Sequence, residues 1–500
     1  MRLKFYLCYF SAIILSSFAI NYSFGYHGAK GIDVIFVSFI LITISFYPLL
    51  QKYFLIPLLF LLAIYFPIGH LYGQPSVSIA ASLLQTNARE SFEFIKSIPS
   101  HYYALPLVLA ISFLLLSRFT WHVNATSRIK NIYLAFLAIF IIVLCLTGKL
   151  PKIKAINFFT SIVQSFESYS EQMEQLKNSN ISAEWSIKHN DKNDLNIVLI
   201  IGESMRTDYM SVFGYPLPTT PFLDDVNGTF YRNYISTAPN TFLSLPRTLA
   251  LSSGSNVNLS YNIVSLASQA GFETFWFSNQ GLLGQFDMPT SRVAVYSKHQ
   301  IFLKKGHYDH SNTNDEALLP YLKKALGSTT QANNFIVLHT MGSHSEFSDR
   351  LNGEKPYFSY SDKELSDYIS TYRKTDRFIK LTYLALLQEK KPFKLIYFSD
   401  HGLSRLENDD GLYLRHAGHT KQNYHVPLLV LSDSATDKKY IDTPKSAYDF
   451  ISFFAHEAGI KIIAPQIHDW EKDINDIKVF DGVNMISYNK LANDPAVQLK

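Results

Sequence analysis

The stretch NIVLIIGESMRTDYMSVFGY, residues 196–215, decides the fold of the second half of this chain. It opens with residues 197–201, a short run of β-branched and other apolar residues that is typical of a strand buried on both faces. The run stops at Gly202, and a carboxylate and a hydroxyl, Glu203 and Ser204, follow it directly. Because ligands bind at the carboxyl ends of the strands in open α/β sheets, we expect Glu203 to lie at a ligand-binding edge.

A second apolar run, residues 394–398, ends in the same way, with Asp400 and His401 just beyond it. Further short apolar runs alternate with helical patterns such as residues 362–387. These additional predicted strands are residues 274–278, 334–339 and 426–431. Strands that alternate with helices predict an α/β domain with a mostly parallel sheet between helical layers, and we assign it to residues 193–500.

The first part of the chain has a different composition. Of 500 residues, 47% are hydrophobic, and nearly all the long apolar runs fall within residues 1–150. These runs are residues 5–20, 32–50, 53–71, 103–116 and 132–146. Each is near the roughly 20 residues that a transmembrane helix needs, so residues 1–155 are predicted to form a multi-span helical membrane domain. Residues 156–192 are predicted to be an interfacial helix and a linker.

Charge and cysteine content limit the function further. The net charge of +4 is small and does not favour nucleic-acid binding. Basic residues such as Arg2, Lys52 and Arg128 fall on one side of the predicted spans, which places the N-terminus in the cytoplasm. An odd number of spans then puts the C-terminal domain on the far side of the membrane. The two cysteines, Cys8 and Cys145, lie in apolar runs, so the C-terminal domain has no disulfide.

Two further segments carry side chains suited to chemistry. Thr241 ends the segment STAPNT and precedes a helical pattern over residues 242–251. Backbone N–H groups at a helix start favour an anion such as phosphate, although a residue like Thr241, taken alone, is more often only the N-cap of the helix. His339 and His344 flank a glycine turn at the end of a predicted strand. A lone histidine there is usually structural, but a pair is less easily explained in that way.

The predicted strand ends bring together one glutamate, one aspartate and several histidines. Asp400 and His401 are followed along the chain by His416 and His419. Each of these residues alone could belong to an ordinary solvated loop. Together with Glu203, they form a set of oxygen and nitrogen ligands suited to zinc. A metal beside a hydroxyl and a helix start suits phosphoryl transfer, because the metal lowers the pKa of the hydroxyl.

The order of the motifs GES, TAPNT, HTMGSH, SDHG and HAGH resembles that of the membrane-bound phosphoethanolamine transferases of Gram-negative bacteria. The catalytic domain of that family belongs to the alkaline phosphatase/sulfatase superfamily, so the resemblance implies a sulfatase-like α/β fold. It also implies five spans in the bacterial inner membrane and a catalytic domain in the periplasm. Carried over to this chain, it makes Glu203, Thr241, Asp400 and His401 the zinc ligands, with Thr241 as the nucleophile in preference to Ser204.

The resemblance also assigns roles to the remaining histidines. His339 and His344 match a pair that contacts the substrate phosphate or a second zinc. His416 matches a further histidine with an offset of one residue, and His419 competes with it for that place. Either His344 or His416 would protonate the leaving alkoxide.

Among residues other than histidine, some match the family's substrate contacts and others differ. In the loop between the third and fourth spans, Thr86 and Glu90 resemble the family's lipid-headgroup motif, which implies an ethanolamine site. Asn279 and Gln280 occupy the region where the family has a substrate-contacting lysine. The lipid A enzymes also have cysteines around the nucleophile and several disulfides. This chain has neither, which favours a core sugar or a periplasmic glucan over lipid A as the acceptor.

The sequence therefore predicts a zinc-dependent transferase that moves phosphoethanolamine from phosphatidylethanolamine to a lipopolysaccharide or periplasmic glucan acceptor, through a phosphoethanolamine–threonine intermediate. A phosphoglycerol transferase or a phosphodiesterase of the same superfamily is the alternative enzyme. A catalytically inactive membrane scaffold is the alternative from another class, and the intact ligand set argues against it. A sulfatase is disfavoured because the Cys/Ser-x-Pro-x-Arg signature is absent around Thr241.

Overall fold

The computed structural model describes most of the chain, and the structural statements below concern the described residues. They are residues 2–25, 30–72, 74–75, 79–80, 83–84, 100–120, 126–177, 183–190, 194–254, 256–282, 289–305, 313–328, 333–408, 411–416, 420–463, 470–472, 474 and 476–497. The chain divides into two compact units, Met1–Ser168 and Tyr169–Lys500.

The described part of the first unit is helical. Its helices are Arg2–Ser23, Gly31–Ser45, Pro48–Leu50, Ile56–Tyr72, Ala104–Thr120 and Ser127–Leu146, with a π-helix at Gln51–Leu55 and 3₁₀ turns at Ser100–Tyr103 and Leu150–Lys152. Among the described residues, Gln51–Gly69 and Ser127–Leu146 are long and apolar enough to cross a membrane, and Leu7–Ser23 and Gly31–Ser45 are shorter apolar helices. Helices suit this role because they satisfy their backbone polar groups internally. The predicted runs 5–20 and 132–146 lie within single helices, whereas the run 32–50 is interrupted at Phe46 and Tyr47.

A buried carboxylate joins two helix starts. Asp33 lies in the first turn of Gly31–Ser45, and its Oδ2 accepts a hydrogen bond from the Lys30 backbone N–H at 3.2 Å. Its Oδ1 accepts the backbone N–H of Lys154, the first residue of the helix Lys154–Lys177, at 3.0 Å. The unpaired N–H groups and the dipole of a helix favour a carboxylate at its N-terminus. Asp33 therefore fixes where the second of these helices begins.

The second unit is built on a large sheet with nine strands among the described residues. In chain order they are β1 Asn196–Gly202, β2 Gly228–Ile235, β3 Glu273–Leu282, β4 His299–Lys305, β5 Asn334–His339, β6 Phe393–Ser399, β7 His425–Ser432, β8 Lys438–Ile441 and β9 Lys445–Ser446. Their spatial order is β8-β2-β7-β6-β1-β5-β3-β4, and β9 also pairs with β2. Strand β7 runs antiparallel to β2 and β6, whereas the other neighbours are parallel. The prediction of a mostly parallel sheet is confirmed.

The strands predicted from apolar runs are all present, as β1, β3, β5, β6 and β7. Every residue of β1 is buried, because the strand lies between β6 and β5 inside the sheet. Strand β2 is not among the predicted strands. Its sequence GTFYRNYI mixes buried aromatic residues with the exposed Arg232, so it lacks a continuous apolar run.

Helices accompany the sheet in the second unit. They are Pro221–Asp225, Thr241–Leu249, Ile263–Gln269, Pro289–Ala294, Leu319–Ser328, Phe347–Arg350, Lys363–Gln388 and Phe450–Glu457, with 3₁₀ turns at Thr207–Tyr209, Ser211–Phe213, Asp315–Leu318, Lys421–Asn423, Ala447–Asp449 and Tyr488–Lys490. The helix Lys363–Gln388 begins after Asp362, whose side chain accepts the Leu365 N–H at 2.9 Å. Its buried Tyr368 and Tyr372 join the main core, and their hydroxyl groups bond to the backbone that follows β1.

Four two-stranded ribbons complete the described part of this unit. They pair Ile187–Asn190 with Ile460–Ile462, Ala250–Ser253 with Asn256–Asn262, Ser404–Asn408 with Gly411–Arg415, and Lys478–Phe480 with Met485–Ser487. The site lies elsewhere, at the large sheet. Because β5, β1 and β6 are adjacent and parallel, their carboxyl ends meet at one edge. Residues that follow these three strands are therefore brought together.

Candidate active site

The segment after β1 forms a strained, buried turn. Glu203 is 1% exposed, and Ser204 has φ +59°, a left-handed conformation that is costly for a residue other than glycine. The Ser204 hydroxyl donates to Glu203 Oε1 at 2.7 Å, and its backbone N–H donates to Asp400 Oδ1 at 3.1 Å. Ser204 is completely buried, and its hydroxyl proton is engaged in the hydrogen bond to Glu203. It is therefore poorly placed to attack a substrate.

Residues 400–402, here called the ligand loop, follow β6 at the same edge. The His401 backbone N–H donates to Asp400 Oδ1 at 2.8 Å. His401 Nδ1 lies 2.7 Å from the carbonyl oxygen of Gly402, which can only accept, so Nδ1 carries a proton. His401 Nε2 lies 3.1 Å from Glu203 Oε1. In the neutral ring, Nε2 then presents a lone pair to the site, the form that binds a metal.

Thr241 is the first residue of the helix Thr241–Leu249, here called the Thr241 helix. Asn240 is its N-cap, because the Asn240 side chain accepts a backbone N–H of the first turn at 3.0 Å. Capping is thus done by Asn240, and the Thr241 hydroxyl is left for the site. Thr241 Oγ1 donates to Glu203 Oε2 at 3.0 Å and lies 3.2 Å from His401 Nε2.

Glu203, Asp400 and His401, here called the metal cluster, are buried with ligand atoms within 4.8 Å of one another. Burial and the neighbouring charge of Glu203 raise the pKa of Asp400 above its usual range. Burial alone would lower the pKa of His401, but the charges of Asp400 and Glu203 outweigh burial and raise it. Two carboxylates therefore depend on the positive charge of a single histidine.

A divalent cation fits the metal cluster. Asp400 Oδ2 is buried and makes no well-formed hydrogen bond among the residues that the structure describes, and His401 Nε2 lies 3.4 Å from it. Buried carboxylates require paired charge, and one histidine cannot offset two of them. An ion held by Glu203, Asp400 and His401 would supply that charge, and Thr241 Oγ1 would be a fourth ligand. The mixed oxygen and nitrogen set suits zinc.

The predicted histidine pair stands on a tight turn after β5, residues 339–344, here called the histidine turn. Gly342 has φ +47°, and a Cβ there would lie 2.9 Å from the Glu203 backbone nitrogen, so the close approach requires glycine. Asp315 holds the turn, since its carboxylate accepts the N–H groups of Met341 at 2.7 Å and of Gly342 at 3.0 Å. The histidine turn therefore packs directly against the backbone of a metal-cluster residue.

The histidines predicted for the site, His339, His344 and His416, differ in burial and in their neighbours. His339 is buried with Nδ1 3.2 Å from Ser278 Oγ, and burial lowers its pKa to about 4. His344 is partly exposed on the same turn. The ring centroid of His416 lies 4.6 Å from that of His401, and burial lowers the pKa of His416 well below its usual value. The structure thus brings His416 beside the metal cluster, and its role there stays a prediction.

Asn279 and Gln280 lie near the end of β3 and form hydrogen bonds to residues that build the site. Gln280 Nε2 donates to Glu203 Oε2 at 3.0 Å and to the Thr340 carbonyl oxygen at 2.9 Å. Asn279 Nδ2 donates to Asp315 Oδ1 at 2.7 Å. In these positions Gln280 orients the Glu203 carboxylate, and Asn279 supports the carboxylate that holds the histidine turn.

Three predicted site residues, His419, Thr86 and Glu90, lie outside the described residues, so their roles stay predictions. Sequence reasoning missed Asp315 and Asn240, which hold two of the loops. Asn240 is a helix cap, and Asp315 is the first residue of a 3₁₀ turn that Asn314 caps, positions at which Asn and Asp are common. That local signal does not reveal which distant backbone groups Asp315 binds.

Comparisons with known proteins identify the family. A family model described as Sulfatase matches residues 195–460. The phosphoethanolamine transferase OpgE of Escherichia coli is 32% identical over 461 residues, which cover 89% of this chain and 87% of that protein.

Two solved structures share the fold. Phosphoethanolamine transferase A (EptA) from Neisseria meningitidis, an integral membrane protein, aligns with a TM-score of 0.61 and 18% identity, covering 92% of this chain and 97% of that one. The C-terminal periplasmic domain of EptC from Escherichia coli, in complex with Zn, aligns with a TM-score of 0.55 and 19% identity, covering 62% of this chain and 98% of that one. A multi-span helical membrane domain followed by a sulfatase-like domain is thereby confirmed. The chain belongs to the phosphoethanolamine transferase family, and its catalytic domain to the sulfatase family.

Proposed function

We propose that this chain transfers phosphoethanolamine from phosphatidylethanolamine through a covalent intermediate on Thr241, in a reaction that needs zinc. One observation carries the proposal. Thr241 Oγ1 stands at a helix start, 3.0 Å from Glu203 Oε2 and 3.2 Å from His401 Nε2. A hydroxyl that shares a buried cluster with two carboxylates and a histidine is placed for activation as a nucleophile.

Four residues would hold the metal: Glu203, Thr241, Asp400 and His401. Zinc bound there would lower the pKa of the Thr241 hydroxyl and offset the negative charge of the phosphate. The Zn in the solved EptC domain supports this choice of metal. Gln280 would keep the Glu203 carboxylate in its ligating orientation by donating to Oε2.

Thr241 supplies the nucleophilic oxygen. The hydroxyl proton passes to Glu203 Oε2, which accepts its hydrogen bond, and Oγ1 forms a bond to the phosphorus of the donor. The bond from phosphorus to the diacylglycerol oxygen breaks, with its electron pair leaving on that oxygen, and phosphoethanolamine remains on Thr241. The first N–H groups of the Thr241 helix stabilise the negative charge that develops on the phosphate. An acceptor hydroxyl then attacks the same phosphorus and frees Thr241.

A histidine would protonate the diacylglycerol alkoxide as it leaves. The candidates are His344, on the histidine turn, and His416, beside His401. Glutamine at the position of the true acid should remove the alkaline limb of the pH profile of kcat. The same change at the other histidine should leave that limb in place.

We place the enzyme in the bacterial inner membrane, with residues 1–155 as the membrane domain, 156–192 as an interfacial helix and linker, and 193–500 in the periplasm. The long apolar helices of the first unit support this, since a lipid donor must be met at the bilayer. Thr86 and Glu90 would hold the cationic ethanolamine. A C-terminal fusion to alkaline phosphatase should be active and one to a green fluorescent protein dark, and the reverse result would contradict the orientation.

For the acceptor, we propose a core sugar of lipopolysaccharide or a periplasmic glucan rather than lipid A. The motivation is the absence of cysteines from residues 156–500 and the neutral Asn279 and Gln280 near the site. The test compares the masses of lipopolysaccharide and glucans from cells with and without the gene. A phosphoethanolamine increment found on lipid A alone would reverse this preference.

The reaction is tested by following both parts of the donor with the purified full-length enzyme. With phosphatidylethanolamine labelled in its ethanolamine, we expect release of diacylglycerol and transfer of the label to an acceptor. Thr241→Ala should lose both, whereas Thr248→Ala, at a buried threonine on the same helix, should keep both. Undiminished diacylglycerol release by Thr241→Ala would contradict the proposal. Label recovered only as free phosphoethanolamine would identify a phosphodiesterase instead.

A further inference from the structure

The site is assembled from two distant parts of the chain. Thr241 and His401 are 160 residues apart in the sequence, and one stands at the start of the Thr241 helix while the other belongs to the ligand loop. The relative position of these parts decides whether Thr241 Oγ1 meets the metal cluster. Neither part contains a cysteine, so no disulfide joins them, and several buried hydrogen bonds do.

Asn423 joins the two parts through its side-chain amide. Its Nδ2 donates to the carbonyl oxygen of Pro239, just before the Thr241 helix, at 2.9 Å and to that of Gly402 at 3.0 Å. The amide has two protons, so both bonds form at once. The Gly402 carbonyl is also the acceptor that fixes His401 Nδ1. Asn423 is completely buried, and water does not compete for these bonds.

Two serine hydroxyls make a second connection. Ser236 Oγ and Ser244 Oγ both donate to the carbonyl oxygen of Asp400, each at 2.5 Å. Ser244 lies one turn after Thr241, so its bond ties the Thr241 helix itself to a residue of the metal cluster. Both serines are buried.

The ligand loop is also pressed against the segment that carries Asn423. A Cβ at Gly402 would lie 2.2 Å from the Gln422 carbonyl oxygen, and the Gly402 N–H donates to the Asn423 carbonyl oxygen at 2.8 Å. Only glycine fits this close contact, and the two hydrogen bonds between Gly402 and Asn423 couple the positions of these residues. His401 is the residue that directly precedes Gly402.

We propose that Ser236, Ser244 and Asn423 form a polar clamp that positions Thr241 against the ligand loop before the metal binds. These side chains donate their hydrogen bonds to backbone carbonyl oxygens and not to substrate or metal. Ser236, Ser244 and Asn423 are therefore positioning residues. For the role of Thr241 the inference rests on the proposed function. The effect of the polar clamp on metal affinity is independent of the substrate, because the clamp orients the ligands themselves.

A purely structural role would also lower stability when one of these side chains is removed, since any lost buried hydrogen bond does so. Matched buried residues away from the site separate the two roles. The Ser370 hydroxyl donates to a backbone carbonyl within the helix Lys363–Gln388. Asn262 caps the helix Ile263–Gln269 with its side chain. Both are completely buried.

The test compares Ser244→Ala with Ser370→Ala, and Asn423→Ala with Asn262→Ala, in the purified full-length protein. Zinc affinity is measured by competition with a chromophoric chelator, and thermal midpoints are measured without metal. We expect the two clamp variants to bind zinc about tenfold more weakly. At saturating zinc, kcat should also fall about tenfold while the donor KM stays within about twofold. The control variants should lose thermal stability but keep zinc affinity and kcat.

Clamp variants that bind zinc as tightly as their controls would overturn the proposal. If Asn423→Ala does not fold, Ser236→Ala and Ser244→Ala decide, because each leaves the other hydroxyl on the Asp400 carbonyl. Unchanged zinc affinity in both would overturn it as well. A wild-type protein that binds zinc but transfers nothing would contradict the proposed function, and the zinc titrations would still decide whether the polar clamp acts.

Discussion

Two buried charged clusters begin three residues apart after β1, and they are neutralised in different ways. In the arginine cluster, Arg206 Nη2 lies 2.6 Å from Asp208 Oδ2, and Arg206 Nη1 lies 3.6 Å from Asp494 Oδ2. The arginine side chain is completely buried. The metal cluster, which starts at Glu203, contains two carboxylates and one histidine. The first cluster carries its own strong cation, and the second does not.

This difference separates folding from activity. Burial alone would lower the pKa of Arg206, but the charge of Asp208 outweighs burial and raises it, so the arginine stays charged at every relevant pH. The histidine of the metal cluster can lose its proton, and it faces two carboxylates. The arginine cluster is therefore complete within the chain, whereas the metal cluster would be completed by the cation that the proposed function requires. We expect the fold to depend on the first and catalysis on the second.

The largest effect is expected for Arg206→Ala. The change leaves Asp208 and Asp494 without their buried partner, and breaking such an ion pair costs about 3–5 kcal/mol of unfolding free energy. Thermal unfolding with and without zinc should show the same loss. The control is Arg232→Ala, which removes an exposed pair with Asp442 and should cost about 1 kcal/mol or less. Equal stability of Arg206→Ala and Arg232→Ala would show that the fold does not depend on the arginine cluster.

Removal of zinc should have the next largest effect. At free zinc 100-fold above the dissociation constant, binding stabilises the fold by about 2.7 kcal/mol, which a chelator removes. Asp400→Asn should abolish both this zinc-dependent shift and activity. Without zinc, the variant should be at least as stable as the wild type, because one of two neighbouring buried negative charges is gone. A full chelator-dependent shift in Asp400→Asn, measured by scanning fluorimetry, would contradict the ligand assignment.

Another buried carboxylate, Asp376, belongs to neither cluster and is held by backbone N–H groups. It accepts the N–H groups of Phe222 at 2.9 Å and Leu223 at 3.0 Å, and burial raises its pKa to about 6. A raised pKa in the folded state gives stability at low pH that is lost as the pH rises through 6.

From pH 5 to pH 7, Asp376 should thus lower the free energy of unfolding by about 1–2 kcal/mol. Urea unfolding at both pH values measures this contribution as the difference between wild type and Asp376→Asn. A difference that does not change with pH would show that burial has not shifted the pKa of Asp376.

The smallest effect is expected for Ser204→Ala. Its hydroxyl donates one hydrogen bond to Glu203, so the loss should be about 1 kcal/mol of stability. Activity should fall by less than about tenfold, because Glu203 keeps its bonds from Thr241 and Gln280. Transfer assays on Ser204→Ala and Thr241→Ala measure the contrast. A loss in Ser204→Ala as large as that in Thr241→Ala would show that Ser204 takes part in the chemistry.

The sequence predicts the sheet edge that carries the site well. The strands β1, β5 and β6 are continuous apolar runs, and the polar residues at their ends are easily recognised. It also places Thr241 near a helix start. Whether Asn240 or Thr241 caps the helix depends on the local backbone geometry, which only the structure shows. Asn423 ends the short 3₁₀ turn Lys421–Asn423, which has no periodic sequence pattern, and its partners Pro239 and Gly402 are 184 and 21 residues away in the sequence. Contacts of this kind depend on how the loops pack, so a single sequence does not reveal them.

The central claim is that the Thr241 hydroxyl, and not that of Ser204, attacks the donor. Incubation of the purified enzyme with phosphatidylethanolamine, followed by acid quenching, proteolysis and mass spectrometry, tests this claim most directly. We predict a phosphoethanolamine adduct on the peptide that contains Thr241, and its disappearance when zinc is removed by a chelator. An adduct on Ser204, or an undiminished adduct in Thr241→Ala, would contradict the account.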